Sequence, residues 1–233
     1  MGSSDPPPEL AGLLGYLADI GYGDLYLKGA GASAAPKGSA KTADGSRTAE
    51  LAAVAARAAA CVACRLAEGR KKVVFGSGDP DADLMLIGEG PGAEEDRQGL
   101  PFVGPAGELL TRILAAIDLR RDQVYIANIV KCRPPGNRDP QPDEVAACRG
   151  FLEAQIDLVR PRVIVALGRV AAQTLLGNES PIGRLRGRWW TVRDVPTMVT
   201  YHPAALLRNA GYKRPTWEDM QQVRDRLQAL SAE

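Results

Sequence analysis

Residues 83–96 read DLMLIGEGPGAEED. A short apolar run breaks into a Gly- and Pro-rich turn and then into acidic helix formers, the order of a buried strand, a tight turn and a helix start. The same apolar signature returns in QVYIANIV (123–130), RVIVALG (162–168) and TMVTYHP (197–203), at intervals of roughly forty residues. Between the runs lie amphipathic segments: AGELLTRILAAIDL (106–119), PDEVAACRGFLEAQIDLV (142–159) and GRVAAQTLLG (168–177). Strands that are apolar throughout must be covered on both faces, so the alternation predicts a three-layer α/β/α sandwich around a short parallel sheet. In such sheets ligands sit beyond the C-terminal strand ends. Those ends here carry Gly88 and Glu89, Asn128, Gly168, and His202 with Pro203.

Working outward, the chain has 233 residues, 45% apolar and 24% charged, which fits one globular domain with a sizeable core. Residues 1–47 differ: a Pro-rich start, an apolar stretch from Leu10 to Leu27, then a segment rich in Ala, Gly, Ser and Lys that reads as linker. They are expected to be an extension, with the domain spanning 48–233. Nothing resembles a membrane span, and the first basic residue is Lys28, so a cytoplasmic protein is expected. A net charge of +1 argues against coating nucleic acid by bulk electrostatics but permits a local basic face. No fixed-period repeat is present, which excludes a solenoid.

Four cysteines and one histidine are the scarce chemistry. Cys61 and Cys64 form a short pair, and Cys132 and Cys148 a wide one that ordinary zinc ribbons do not use. The spacing leaves a 4Fe-4S cluster, a zinc ion and unligated thiols all open. GEGPGAEED (88–96) lets a ligand approach the backbone closely, though any Gly-rich turn does the same, and it matches neither the dinucleotide fingerprint nor the phosphate loop. Phe102, in PFVGPAG, is a local anchor or a stacking platform for a base. YHPAALLRN (201–209) places His202 at the functional edge, where it is either structural or catalytic. Leu206, Leu207 and Arg208 behind it fit a helix cap or an apolar wedge beside a cation at DNA. RPPGNR (133–138) and GRLRGR (183–188) are basic clusters or scattered solvated arginines.

Taken together, CVAC (61–64), GEGPGAEED, GLPFVGPAGELL (99–110), NIVKCRPPGNRDPQPDEVAAC (128–148) and HPAALLRN resemble the family-4, iron-sulfur uracil-DNA glycosylases in order and spacing, over roughly residues 50–230. The resemblance implies the α/β sandwich, a 4Fe-4S cluster on Cys61, Cys64, Cys132 and Cys148, and a uracil pocket of Glu89, Gly90, Phe102, Asn128 and His202. It implies an enzyme that flips uracil from single- or double-stranded DNA and hydrolyses its glycosidic bond, acting as a monomer. Gly90 stands where better-known uracil glycosylases place a water-activating aspartate, which leaves Glu89 and Glu95, with His202, as catalytic candidates. Gly92 stands where relatives carry a Tyr that excludes thymine, a duty that would fall to Glu95. A sister group traps uracil covalently through a histidine before the last cluster cysteine; none lies between Cys132 and Cys148, so turnover is expected. The rival readings are an iron-sulfur electron carrier and a non-catalytic, metal-stabilised DNA-binding module.

Overall fold

A computed structural model describes residues 45–232. The expected extension, residues 1–47, lies outside the described residues except for its last three, which open the first helix, α1 (Gly45–Ala59). Arg47 on that helix pairs with Asp81 and donates to the carbonyl of Leu158. Elements then follow in chain order: α2 (Leu66–Gly69), β1 (Ser77–Gly78), β2 (Leu84–Gly88), α3 (Ala93–Gln98), α4 (Pro105–Ala115), β3 (Tyr125–Asn128), α5 (Pro142–Val159), β4 (Val163–Leu167), α6 (Arg169–Leu176), α7 (Ile182–Leu185), β5 (Trp189–Val192), β6 (Val195–Thr200), α8 (Pro203–Arg208) and α9 (Lys213–Ser231).

The sheet runs β1-β3-β2-β4-β6-β5. Its four central strands are parallel, with Gly88 opposite Asn128 and Leu167 opposite Thr200, so their C-terminal ends share one edge. Alternation sorts the core into two layers. Leu84, Leu86, Ile126, Val163, Val165 and Met198 pack against α4, α8 and α9. Met85, Ile87, Ala127, Ile164, Ala166 and Val199 pack against α1, α5 and α6. Every residue of β2, β3 and β4 is buried, which is why these runs carry no polar alternation.

The central sheet is parallel as expected, and an antiparallel strand is added at each edge. β1 pairs antiparallel with β3, and β5 antiparallel with β6. A two-residue strand carries no periodicity to read. The β5–β6 hairpin turns on Arg193 and Asp194, both at positive φ (49° and 63°), without the Asn-Gly or Asp-Gly that normally signals such a turn. Its stabilisation is tertiary: Arg193 forks onto Asp157 of α5 at 2.7 Å.

Candidate active site and cysteine cavity

Asn128 ends β3, buried to 2% exposure, and its Oδ1 is a buried acceptor without a hydrogen-bond partner. Such orphans are rare, because desolvating a carbonyl oxygen without compensation costs about 1–3 kcal/mol. The strand beside it makes room. A Cβ on Gly88 would lie 2.5 Å from Asn128 Oδ1 and 2.7 Å from Phe102 Cζ. Only glycine lets the carboxamide and the ring converge there.

Phe102 is held in a left-handed backbone conformation (φ 52°) and is 6% exposed. A non-glycine residue with positive φ is strained, and its neighbours must over-determine it. Glu95 is one of them: its Oε1 accepts from the amides of Val103 (3.1 Å) and Gly104 (3.3 Å), holding the loop that leads into α4. Its other oxygen lies 2.7 Å from where a Cβ on Gly92 would stand. Arg121 donates to the carbonyl of Pro101. The Phe102 ring stacks on His202, centroids 5.3 Å apart and planes 27° off parallel.

His202 caps α8, its Nδ1 accepting from the amide of Ala204 at 3.1 Å. An accepting Nδ1 puts the proton of the neutral ring on Nε2. Burial, with the charge of Arg208 beside it, pushes the imidazole pKa down to about 4, while Glu95 pulls weakly the other way. At neutral pH the ring is therefore an uncharged Nε2–H donor. Gly168 (φ 94°) permits its position, since a Cβ there would meet His202 Cβ at 2.9 Å.

Glu89 follows Gly88 directly. Burial, reinforced by Asp139 and opposed by Arg169, raises its carboxyl to about 7. Asp139 and Arg169 pair with each other. Gly90 packs under Val130, with 2.8 Å from a would-be Cβ to Val130 Cγ2.

One expected DNA contact is corrected. Leu206 is 1% exposed and belongs to the core beside Phe102, because the inner face of α8 carries it inward. Leu207, 50% exposed, and the exposed Arg208 face outward.

The cysteines gather in a cavity of their own beyond the end of β3. All four are free thiols and line one cavity with Arg70 and Lys131. The amide of Lys131 donates to Cys148 Sγ (3.3 Å) and Arg70 to Cys132 Sγ (3.4 Å). Burial pushes the Cys148 thiol up to about 11 and raises Cys132, so these thiols stay protonated unless a cationic centre claims them. Among the described residues no group of three or more His, Cys, Asp or Glu is placed to hold a single metal ion.

Several residues escaped sequence reasoning. Glu144, fully buried, takes both nitrogens of Arg138 (2.8 and 2.6 Å) and the amide of Gln141, locking the loop between Cys132 and α5. Its capping-box spacing from Gln141 was a readable signal. Lys131, Gln155, Asp139 and Arg169 gave none: the Lys131–Gln155 and Asp139–Arg169 contacts join residues 24 and 30 positions apart, and nothing in the sequence marks Lys131 as buried.

The family model of the uracil DNA glycosylase superfamily matches residues 75–221. The chain is 45% identical over 177 residues to a type-4 uracil-DNA glycosylase of Thermotoga maritima, covering 73% of this chain and 91% of that protein. It is 43% identical over 174 residues to the type-4 enzyme of Sulfurisphaera tokodaii, covering 71% and 79%. A type-5 uracil-DNA glycosylase of Thermus thermophilus matches at 39% over 120 residues, 45% of this chain and 54% of that one.

Proposed function

Because this chain belongs to the uracil DNA glycosylase superfamily, we propose that it excises uracil from DNA by hydrolysing the N-glycosidic bond, releasing free uracil and leaving an abasic site. The observation that carries the reading is the orphaned Oδ1 of Asn128, a buried acceptor poised over the strand edge with nothing of its own chain to bind. A carboxamide accepts from the uracil imide through Oδ1 and donates to a neighbouring carbonyl through Nδ2, a pattern cytosine does not match. Uracil in a duplex must first be extruded, at a cost of a few kcal/mol. Leu207 and Arg208, both exposed, would serve as an apolar wedge and a phosphate contact.

Phe102 provides the stacking face. Neutral His202 donates its Nε2 proton to a ring carbonyl, where negative charge grows as the bond breaks, and a preorganised donor there lowers the barrier most. Glu95 is spent on the amides of Val103 and Gly104, and its second oxygen fills the space beside Gly92 that a thymine methyl would enter. Glu89, with a pKa near neutrality, is the carboxylate suited to take a proton from the attacking water. Cys61, Cys64, Cys132 and Cys148 would hold a 4Fe-4S cluster. Four cysteines lining one cavity, two of them receiving N–H donors, and a Cys132–Cys148 spacing that ordinary zinc ribbons do not use support that reading. There the group would supply structural bracing to the Cys132–Cys148 segment.

The test is release of free uracil from a uracil-containing oligonucleotide with no electron donor added, against matched thymine and cytosine oligonucleotides. Release from the uracil strand alone is the expected result. Absence of release from protein with full visible cluster absorbance would favour an electron carrier, and colourless, zinc-loaded, inactive protein a binding module.

A further inference from the structure

Lys131 is 1% exposed, an unusual place for a lysine. Its stem runs through the layer between the sheet and α5, and its ammonium is satisfied there: Nζ donates to the backbone carbonyl of Asn128 (2.8 Å) and to Gln155 Oε1 (2.5 Å), with the Phe75 ring centroid 5.9 Å away. Gln155, also fully buried, is fixed in turn, its Nε2 donating to the Phe75 carbonyl (2.9 Å) and the Tyr125 hydroxyl (3.0 Å). The main chain of Lys131 is tied at both ends, the amide to Cys148 Sγ (3.3 Å) and the carbonyl to the amide of Val74 (2.8 Å).

The consequence concerns Asn128. Its side-chain oxygen has no partner to orient it, so its aim rests on the backbone that carries it. That backbone leaves the sheet at this residue: Asn128 is the last register partner of β2, opposite Gly88. The next peptide is held by Ile129 N donating to the Gly88 carbonyl (2.9 Å) on one side and by the Lys131 ammonium on the Asn128 carbonyl on the other. Gln155 stands two helical turns beyond Cys148 on α5, so the ammonium references the Asn128 peptide to the helix that bears a cluster cysteine. A hydrophobic residue of similar length would fill the same volume without the cost of burying an amine, so the amine is expensive there unless its two donated hydrogen bonds are needed.

We infer that Lys131, held by Gln155, is a positioning residue for the uracil-reading carboxamide: it fixes the Asn128 peptide and keys it to the cysteine-bearing helix α5. The inference rests on the glycosylase reading above and adds the device that keeps an unpartnered reader in register.

The experiment uses the full chain, purified with its cluster. Lys131→Met keeps the backbone amide to Cys148 and the approximate volume but removes the donors. Single-turnover uracil excision is expected to fall by about 10²-fold, the cost of a reader misplaced by about 1 Å. Affinity for free uracil falls with it, while affinity for abasic DNA and visible cluster absorbance per protein stay parental. Gln155→Met should reproduce the defect in part, and the double variant should be no worse than Lys131→Met, because both act through one contact. Parental excision and uracil affinity in folded, loaded Lys131→Met overturn the inference, as does a loss that merely tracks cluster content. Should Lys131→Met fail to fold, Gln155→Met, which leaves the lysine and all cysteines in place, decides by the same readouts. If the parent itself releases no uracil, the glycosylase reading has failed, a result distinct from a variant that matches an active parent.

Discussion

At the scale of single residues, the candidate site depends on groups whose bonding or titration burial has altered. Asn128 keeps an acceptor buried and unbonded, His202 is neutral, and Glu89 sits near the midpoint of its titration. Asn128→Asp keeps the shape and removes the donor half of the carboxamide, setting two acceptors face to face. Single-turnover excision should fall by ~10⁴ with DNA binding unchanged, whereas an Asn128 that merely capped the strand would leave it within about tenfold. For Glu89 the sign follows from a folded pKa of about 7 against an ordinary 4.5. Between those values the folded protein holds more proton than the unfolded chain, so this carboxyl subtracts stability increasingly as pH rises. His202, lowered from 6.5 to about 4, subtracts stability in the opposite direction, as pH falls through that window. Glu89→Gln should therefore gain more stability over the parent at alkaline than at acidic pH. It should also lose the rise of excision rate through pH ~7 and drop by about 10²–10⁴-fold. Parallel pH–rate profiles for the two proteins would remove Glu89 from the proton transfer.

At the scale of elements, the loop from Cys132 to α5 joins the cysteine cavity to the candidate site at the strand ends. It is stitched to the rest by the Arg138–Glu144 pair, by the Asp139–Arg169 pair over Glu89, and by Lys131 beneath Asn128. Cys148 lies inside α5 beyond this loop, and α1, with Leu51, Val54 and Ala58 facing inward, leads to Cys61 against the same helix. A Cys148→Ser substitution replaces a thiolate by a far poorer ligand. The expected result is loss of visible absorbance and a Tm lowered by about 2–4 °C for each kcal/mol of bracing lost, with excision per folded molecule reduced less than solubility. Full absorbance and unchanged Tm in Cys148→Ser would refute the four-cysteine assignment.

At the scale of the molecule, a double-sided core positions everything described. The two apolar layers bury β2, β3 and β4 throughout, so their ends are fixed mounts for the turns that leave them. The described residues include no helix long and apolar enough to cross a membrane. Because Arg47 already contacts Asp81 and Leu158, the functional boundary is expected just before α1. Deleting residues 1–44 should leave uracil excision and Tm at parental values, while deleting through Ala60 should cost the cluster, since it removes the helix leading to Cys61. A folded, loaded 1–44 deletion that no longer excises uracil would assign the extension a part in the reaction.

The amino-acid sequence by itself determined the layered fold and the edge on which the chemistry lies, because continuous apolar runs separated by amphipathic helices have few ways to bury both faces. It also singled out the candidate pocket residues and the four cysteines, through scarce residue types at motif spacings. Only the tertiary structure decided what depends on contacts between distant segments. It turned Leu206 into the core and left Leu207 outside, a matter of which side of one helical turn faces the sheet. It supplied the antiparallel edges, where a hairpin turn without glycine is held by Arg193 on Asp157. It tied Glu95 to the Phe102 loop, set Asp139 and Arg169 over Glu89, and placed Lys131 beneath Asn128. Periodicity and spacing record a residue's own neighbourhood, whereas a pKa, an orphaned acceptor or a buried ammonium is a property of the groups that folding brings around it.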